Sequence, residues 1–347
     1  MRGLGHLIAV DAKSLARVLP TGLAMLFIFL IYLAVIFAIN YSFTAGSPAP
    51  VVATESADQV FLQSVTSELS SQDVQVARRE EATVLIVEKS GHVQIVVSAS
   101  ERPAWDGAWK AVRSAGVPAA NITTVDTEGD WQVDLVRANL GPALGVGLMA
   151  LAFVGTSAPL ASLRERGILR LLGATPVSNA ALVLSYVPVR VVLAAFEMGV
   201  VVVIACSRDY VEPGFLWRLF VTLIMGLAML LPAAFLLASK SRNATDTQQI
   251  GVILSMLLVG AGGGIIPAAH TNEVLQTLFN MFPTTWLMQA AGSDLAGVVP
   301  FLEVHWLWAL MGVTSVAAFL LALRVFSWDR ESDAPLRKIQ KRVREGE

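Results

Sequence analysis

Ser162-Leu-Arg-Glu-Arg-Gly-Ile-Leu-Arg-Leu-Leu-Gly-Ala-Thr-Pro-Val-Ser178 is a short cationic stretch set between two long apolar segments, and that contrast decides the fold. Arg164, Glu165, Arg166 and Arg170 crowd into one basic cluster, and Leu163, Ile168, Leu171 and Leu172 leave an apolar stripe beside it. Gly173 and Pro176 are helix stop signals, because glycine accepts the left-handed conformation at a C-terminus and proline cannot continue the ladder. The pattern predicts a short amphipathic helix, Leu163–Gly173, on the cytoplasmic face of a membrane protein, with a shape that a soluble partner can grip. The plainer alternative is a solvated loop with the positive charge typical of cytoplasmic loops.

Outward from this stretch, the apolar runs are Leu19–Ile39, Leu140–Leu160, Ala180–Cys206, Phe215–Ala238, Ile250–Ala269 and Trp306–Phe326. A helix needs about 20 apolar residues to cross the hydrocarbon core. Only 15% of the 347 residues are charged and the mean hydropathy is +0.63, against about 25% charged in soluble domains. These numbers predict a polytopic α-helical membrane protein with six transmembrane helices. A cleaved signal peptide is the rival reading of the first run, but signal cores are about 7–15 residues long. The run is longer, so it reads as a retained anchor, transmembrane helix 1 over 19–43. The single cysteine, Cys206, excludes an intramolecular disulfide framework and a cysteine-based zinc site.

Residues 44–138 change character, and none of their runs is long enough to span a bilayer. Within 45–138 there are 13 acidic and 7 basic residues. Helices are predicted at Ala57–Leu69 and Pro103–Ala115. Strands are predicted at Asp73–Ala77, Thr83–Val87, His92–Ser98 and Ile122–Val125, the third with period-two alternation. This makes a small α+β domain inserted between helices 1 and 2, large enough for its own core. Residues 1–18 suit an interfacial helix, with Leu4, Leu7, Ile8, Leu15 and Val18 on one face. Residues 139–327 hold helices 2–6, and 272–299 reads as re-entrant or hairpin-like because Pro283, Gly292, Asp294 and Gly297 interrupt it. Residues 328–347 form a basic tail.

Lys and Arg set the orientation. Arg2, Lys13 and Arg17, then Arg164, Arg166 and Arg170, then Lys240 and Arg242, then the tail all fall on one side of a six-span chain. That side is the cytoplasm. Both termini are therefore placed inside and the α+β domain outside, because long segments escape the charge rule.

A search for chemistry finds no catalytic set. Gly260-Ala-Gly-Gly-Gly264 has no lysine after it and lies in an apolar run, so it is no phosphate loop. The four histidines are scattered, and no metal site is built from sequence neighbours. Arg190 and Glu197 are the exceptions inside a span, where a charge costs about 2.5–3.5 kcal/mol on insertion scales. Seven residues apart, they share roughly one helix face. They line a polar cavity or pair with other helices; the competing reading has Arg190 snorkelling to the interface and Glu197 satisfied structurally. Gly141 and Gly145 form a small-xxx-small pattern suited to helix packing or a dimer contact.

The Arg164–Ser178 stretch resembles the loop between spans two and three of ABC-2-type permeases, which read R-E-R-E-x-G-x-L-x-x-L-x-x-x-P-[VI]-S. Arg164, Glu165, Arg166, Gly167, Leu169, Leu172 and Pro176 stand in the corresponding roles, with one residue fewer before the glycine. A second resemblance is the P-x-[ST]-[WY]-x-x-x-A segment of the outer helices, carried here by Pro283, Thr285, Trp286 and Ala290. The resemblance implies the transmembrane subunit of a type V-like ATP-driven exporter, in the plasma membrane. It also implies a second permease subunit, identical or paralogous, and a separate ABC ATPase that holds ATP and Mg. The 162–174 segment would be the coupling helix and 1–18 the connecting helix. The chain itself would be no enzyme and bind no cofactor or nucleic acid; its remaining partner is the lipid bilayer. Two alternatives stand beside this: a mechanotransmission-type permease, with fewer spans and a larger outer domain, and a membrane-anchored sensor or scaffold whose outer domain binds a ligand.

Overall fold

The computed structural model describes residues 19–45, 49–89, 91–98, 105–130, 132, 134–175, 178–211, 214–240, 243–262 and 273–325. The predicted interfacial helix 1–18 and the tail 328–347 lie outside the described residues.

Helix α1 (Leu19–Thr44) leads into an inserted α/β domain. Its sheet has five strands, β1 (Val51–Glu55), β2 (Gln75–Val76), β3 (Val84–Lys89), β4 (His92–Val97) and β5 (Ile122–Asp126), in the order β2-β1-β3-β4-β5. β1 runs parallel to β2 and β3, β4 is antiparallel to β3, and β5 is parallel to β4. Helices α2 (Gln59–Ser71) and α3 (Asp106–Ser114) supply the other half of the core. Asp58 caps α2, its carboxylate accepting from the backbone of Val60 and Phe61, which serves two of the N–H groups that a helix start leaves unpaired. Phe61, Val65 and Leu69 then pack with Val52, Ile86, Ile95 and Val112, each burial worth about 1.5–3 kcal/mol.

β1 is absent from the strands predicted above. Val52 and Ala53 are both buried, so this interior parallel strand carries no polar alternation for the sequence to reveal. The strand expected over Asp73–Ala77 shrinks to Gln75–Val76, with Asp73 turned into the left-handed region at φ 58°.

The chain then becomes helical: α4 (Leu135–Met149), a π-helical segment (Ala150–Ser157) and α5 (Ala158–Glu165) form one continuous rod. α6 (Ile168–Gly173), α7 (Asn179–Ser185), α8 (Val187–Ser207), α9 (Phe215–Lys240), α10 (Ala244–Ala261), α11 (Glu273–Asn280), α12 (Pro283–Ala296) and α13 (Val304–Val325) follow. Among the described residues four helical stretches are long and apolar enough to cross a membrane: Leu135–Glu165, Ala180–Ser207, Phe215–Ser239 and Val304–Val325. Leu26–Ser42 is a shorter apolar helix. The Leu135–Glu165 rod is buried on nearly every side, and α1, α8, α9, α10 and α12 pack around it. A helix apolar all round belongs in such a central place.

Gly141 and Gly145 lie where α4 meets α12. A Cβ on Gly141 would fall 2.7 Å from Gly292 N, and one on Gly145 would fall 2.8 Å from Met288 Cγ. The small-xxx-small pattern therefore packs helices within the chain.

Two prolines shape the helical body. Pro159 has no N–H to give to the turn before it, where Gly155 O is the acceptor in the α-helical register, and the ring pushes that turn open. The π-helical stretch occupies this turn. Pro232 does the same to Ala228 in α9, and Ser315 Oγ from α13 donates to the Ala228 carbonyl at 2.7 Å. In an apolar solvent a freed backbone group needs such a donor from a neighbour.

Candidate functional site

The cationic stretch is built as a helix, a turn and a second helix. α5 ends at Glu165, and Gly167 takes φ +73° with nothing near its Cα on the side where a Cβ would stand. Glycine is required there for its conformation alone. α6 then starts at Ile168. The single helix Leu163–Gly173 is thus split, because Gly167 reverses the backbone in its middle.

Arg164 Nη1 donates to the carbonyls of Ala238 and Ser239 at 2.5 and 2.7 Å. These are among the last carbonyls of α9, where a cation is favoured by the helix dipole. Glu165 Oε2 accepts from the backbone N of Ala244, the first residue of α10, at 3.4 Å, where an anion is favoured. Neighbouring residues of opposite charge thus tie the stretch to both flanks of the α9–α10 loop. Leu169 is fully buried with Leu160, Leu182, Tyr186 and Phe235, and Leu172 packs beside them.

The seven residues singled out in this stretch consequently divide. Arg164 and Leu169 are buried and face the protein, so Arg164 does not stay in one surface cluster with Arg166 and Arg170: its Nη1 is held at the end of α9. Leu172 is half-buried and Glu165, Arg166 and Gly167 are exposed. Pro176 lies outside the described residues. The surface tip adds Ile168, Arg170 and Leu171, and Leu171 is 71% exposed.

Arg190 and Glu197 both lie on the buried face of α8, at 1% and 0% exposure. Arg190 Nη2 donates to Gly155 O at 2.6 Å and Nε to Thr156 Oγ1 at 3.2 Å, and the guanidinium carbon sits 4.7 Å from the Tyr186 ring centroid. Arg190 therefore supplies the donor that Pro159 withholds. Glu197 is wedged against Gly147, where a Cβ would stand 2.8 Å from the Glu197 Cδ. Both of its carboxylate oxygens lack a hydrogen-bond partner among the described residues. The two side chains are not brought together: one braces the π-helical segment and the other meets α4 a turn before it.

Pro283, Thr285 and Trp286 build the α11–α12 corner, and Ala290 lies further along α12. Pro283 begins α12, where its fixed φ is pre-organised. Thr285 Oγ1 donates to Phe279 O at 2.5 Å and Trp286 Nε1 to Asn280 O at 2.8 Å, satisfying two terminal carbonyls of α11. Ala290 is fully buried and packs with Val304 and Leu307. Pro283, Thr285 and Trp286 hold the corner in shape, Ala290 seats α12 on α13, and none of the four is grouped with Arg190 or Glu197. Asp294, which interrupts the apolar 272–299 segment, forms an ion pair with Arg218 of α9 at 3.0 Å.

The family described as ABC-2 family transporter protein matches residues 71–324. A search among curated proteins returned no match. With the greater part of its length matched, the chain belongs to the ABC-2 family of transporter proteins. It is a polytopic membrane protein and a transmembrane ABC permease.

Proposed function

We propose that this permease is the transmembrane subunit of an ATP-driven exporter, and that a separate ATPase docks on the surface tip formed by Glu165, Arg166, Ile168, Arg170 and Leu171. The observation that carries this reading is the contrast within the stretch. Arg164, Glu165 and Leu169 anchor it to α9, α10 and the helical core, while Ile168 and Leu171 are left exposed between arginines. Exposed apolar side chains flanked by charge fit a protein partner better than they fit water. Because the base of the tip continues into the α4–α5 rod and touches the α9–α10 loop, a push on it reaches two membrane helices at once. Coupling of distant sites needs such a shared, movable element.

In this reading α1 and α10 complete the six spans, the α/β domain faces outward, and both termini lie in the cytoplasm of a plasma-membrane protein. Two permease subunits, identical or paralogous, work with ATPases that bind ATP and Mg. Cargo leaves the cytoplasm or the inner leaflet.

The test is purification of the full-length tagged chain in mild detergent, with identification of its partners and an ATPase assay. The expected result is a stoichiometric P-loop protein whose hydrolysis is blocked by vanadate and whose binding is lost on Arg170→Glu with Leu171→Asp. A chain that purifies alone and without ATPase activity in several detergents and in nanodiscs would overturn the reading.

A further inference from the structure

The inserted α/β domain is tied to the helical body through two arginines that grip backbone. Trp109 and Arg113 stand one turn apart on α3, so they share a face. Arg113 donates from Nε to Asp209 O and from Nη2 to Val211 O, both at 2.9 Å, and from Nη1 to Val117 O at 2.6 Å. Asp209 and Val211 belong to the turn after α8, where Asp209 is held at φ 54° and the N–H of Tyr210 closes on Ala205 O. That left-handed residue is what turns the carbonyls toward α3.

Arg137, in the first turn of α4, reaches the opposite way. Its Nε donates to Ala296 O at 2.8 Å, and its Nη2 donates to Ala119 O at 2.7 Å and Gly297 O at 3.4 Å. Ala296 closes α12, and Ala119 belongs to the α/β domain, so one guanidinium joins three parts of the fold. The same group lies over the Trp109 ring at 4.1 Å, while Tyr210 meets that ring edge-on at 5.8 Å and donates its hydroxyl to Asp134. Asp106 of α3 pairs with Arg208 at 3.1 Å. Gly297, at φ +58°, touches Ala119 so closely that a Cβ would lie 2.6 Å from the alanine methyl. One apolar core continues from Val52 and Trp109 through Ala119 to Leu140 and Leu295.

A flexible tether between domains is usually polar and sparsely contacted. This junction has the opposite construction: planar forks held by main-chain carbonyls, whose positions cannot relax as side chains do. We propose that Arg113 and Arg137 are positioning residues that fuse the α/β domain, the turn after α8 and the end of α12 into one rigid body. The domain then moves as one piece with the α4–α5 rod, instead of being a mobile receptor hung on two linkers. The source of that movement rests on the exporter reading; the rigid body itself does not.

The test uses the full chain in nanodiscs with Cys206→Ser and spin labels at Lys110→Cys, on the exposed side of α3, and Val299→Cys, beyond α12, both exposed sites, the labelled chain being diluted into an excess of unlabelled Cys206→Ser chain so that only distances within one chain are read. The expected result is one narrow distance distribution. Arg113→Ala and Arg137→Ala broaden it, and Arg137→Lys broadens it as well, because an ammonium keeps the charge and loses the fork. Arg79→Ala, which cuts only the exposed pair to Glu55 within the domain, leaves it narrow. A broad or two-peaked distribution in the parent chain overturns the proposal, whether or not any variant folds. So does a distribution that stays narrow in the Arg113→Ala, Arg137→Ala double variant. No ATPase is needed for these measurements, so their failure is distinct from failure of the exporter reading.

Discussion

Arg190 donates a 2.6 Å hydrogen bond to the carbonyl of Gly155, the acceptor to which Pro159 has no N–H to give. A charged side chain from one span thereby repairs a backbone defect written into another. An unsatisfied buried carbonyl costs about 1–3 kcal/mol, so Arg190→Met is expected to lower the thermal midpoint in detergent by several degrees. Pro159→Ala restores an N–H at the defect and should recover part of the loss in the double variant. An Arg190→Met chain as stable as the parent, or a double variant with strictly additive losses, would contradict this pairing.

Glu197 and Gly147 form the next contact along the same seam. Gly147→Ala places a methyl group where the carboxyl group already stands, and overpacking of this kind costs about 1–3 kcal/mol. Glu197→Ala should relieve most of it in the double variant, since the clash is with that side chain. The check is a double-variant cycle on thermal unfolding, and the absence of coupling between the two positions would remove the contact.

The division of the cationic stretch predicts two kinds of loss. Arg166→Glu and Leu171→Asp are expected to weaken ATPase docking at least tenfold and leave the stability of the isolated permease within about 0.5 kcal/mol, as surface substitutions do. Arg164→Ala should instead destabilise the permease, because it strips the end of α9 of its two donated bonds. Co-purification and thermal unfolding, measured on the same three variants, separate the two effects. Equal behaviour of all three would mean that the stretch acts as a plain loop.

Tyr210 carries a pH dependence. Burial, reinforced by the Asp134 carboxylate that accepts its hydroxyl proton, raises its pKa far above the ordinary tyrosine value. The folded value lies above the unfolded one. The contribution to stability is therefore complete below about pH 10 and is lost as the pH rises from there toward the folded value. Tyr210→Phe should reduce the alkaline loss of stability, seen as a flatter profile of thermal midpoint against pH between 9 and 11. A parent profile as flat as that of the variant would rule this out.

Cys206 is exposed near the end of α8 and is the only thiol in the chain. With the proposed topology it faces outward. A membrane-impermeant maleimide added to intact cells is expected to label the parent chain and not Cys206→Ser. Labelling that requires broken cells would invert the proposed orientation.

The apolar runs, the cationic stretch and the change of character at residue 44 are all legible in the sequence, because each depends on properties that neighbouring residues share. Transfer of about 20 apolar side chains into lipid does not depend on which helix lies beside them. Gly167 and Pro159 are less plain: the apolar stripe reads through Gly167 as one helix and Pro159 sits inside an unbroken apolar run, so the turn at one and the opened helix before the other are seen only in the structure. The sequence does not show where a side chain finishes. Arg164 reads as part of one basic cluster with Arg166, yet it finds the carbonyls of Ala238 and Ser239. Gly141 and Gly145 leave packing and dimerisation equally open until α12 is placed against them.

The sequence by itself determined that this is a membrane permease of ABC-2 type with a polar insertion and a cationic loop between spans. Only the tertiary structure decided that Arg190 mends the turn at Pro159, that Glu197 rests on Gly147, and that Arg113 and Arg137 lock the inserted domain to the helical body. The reason is range. Hydropathy and backbone preference act between neighbours, whereas a guanidinium in low dielectric takes whichever free carbonyls the fold brings within about 3 Å, and for Arg137 one of those lies at Ala296.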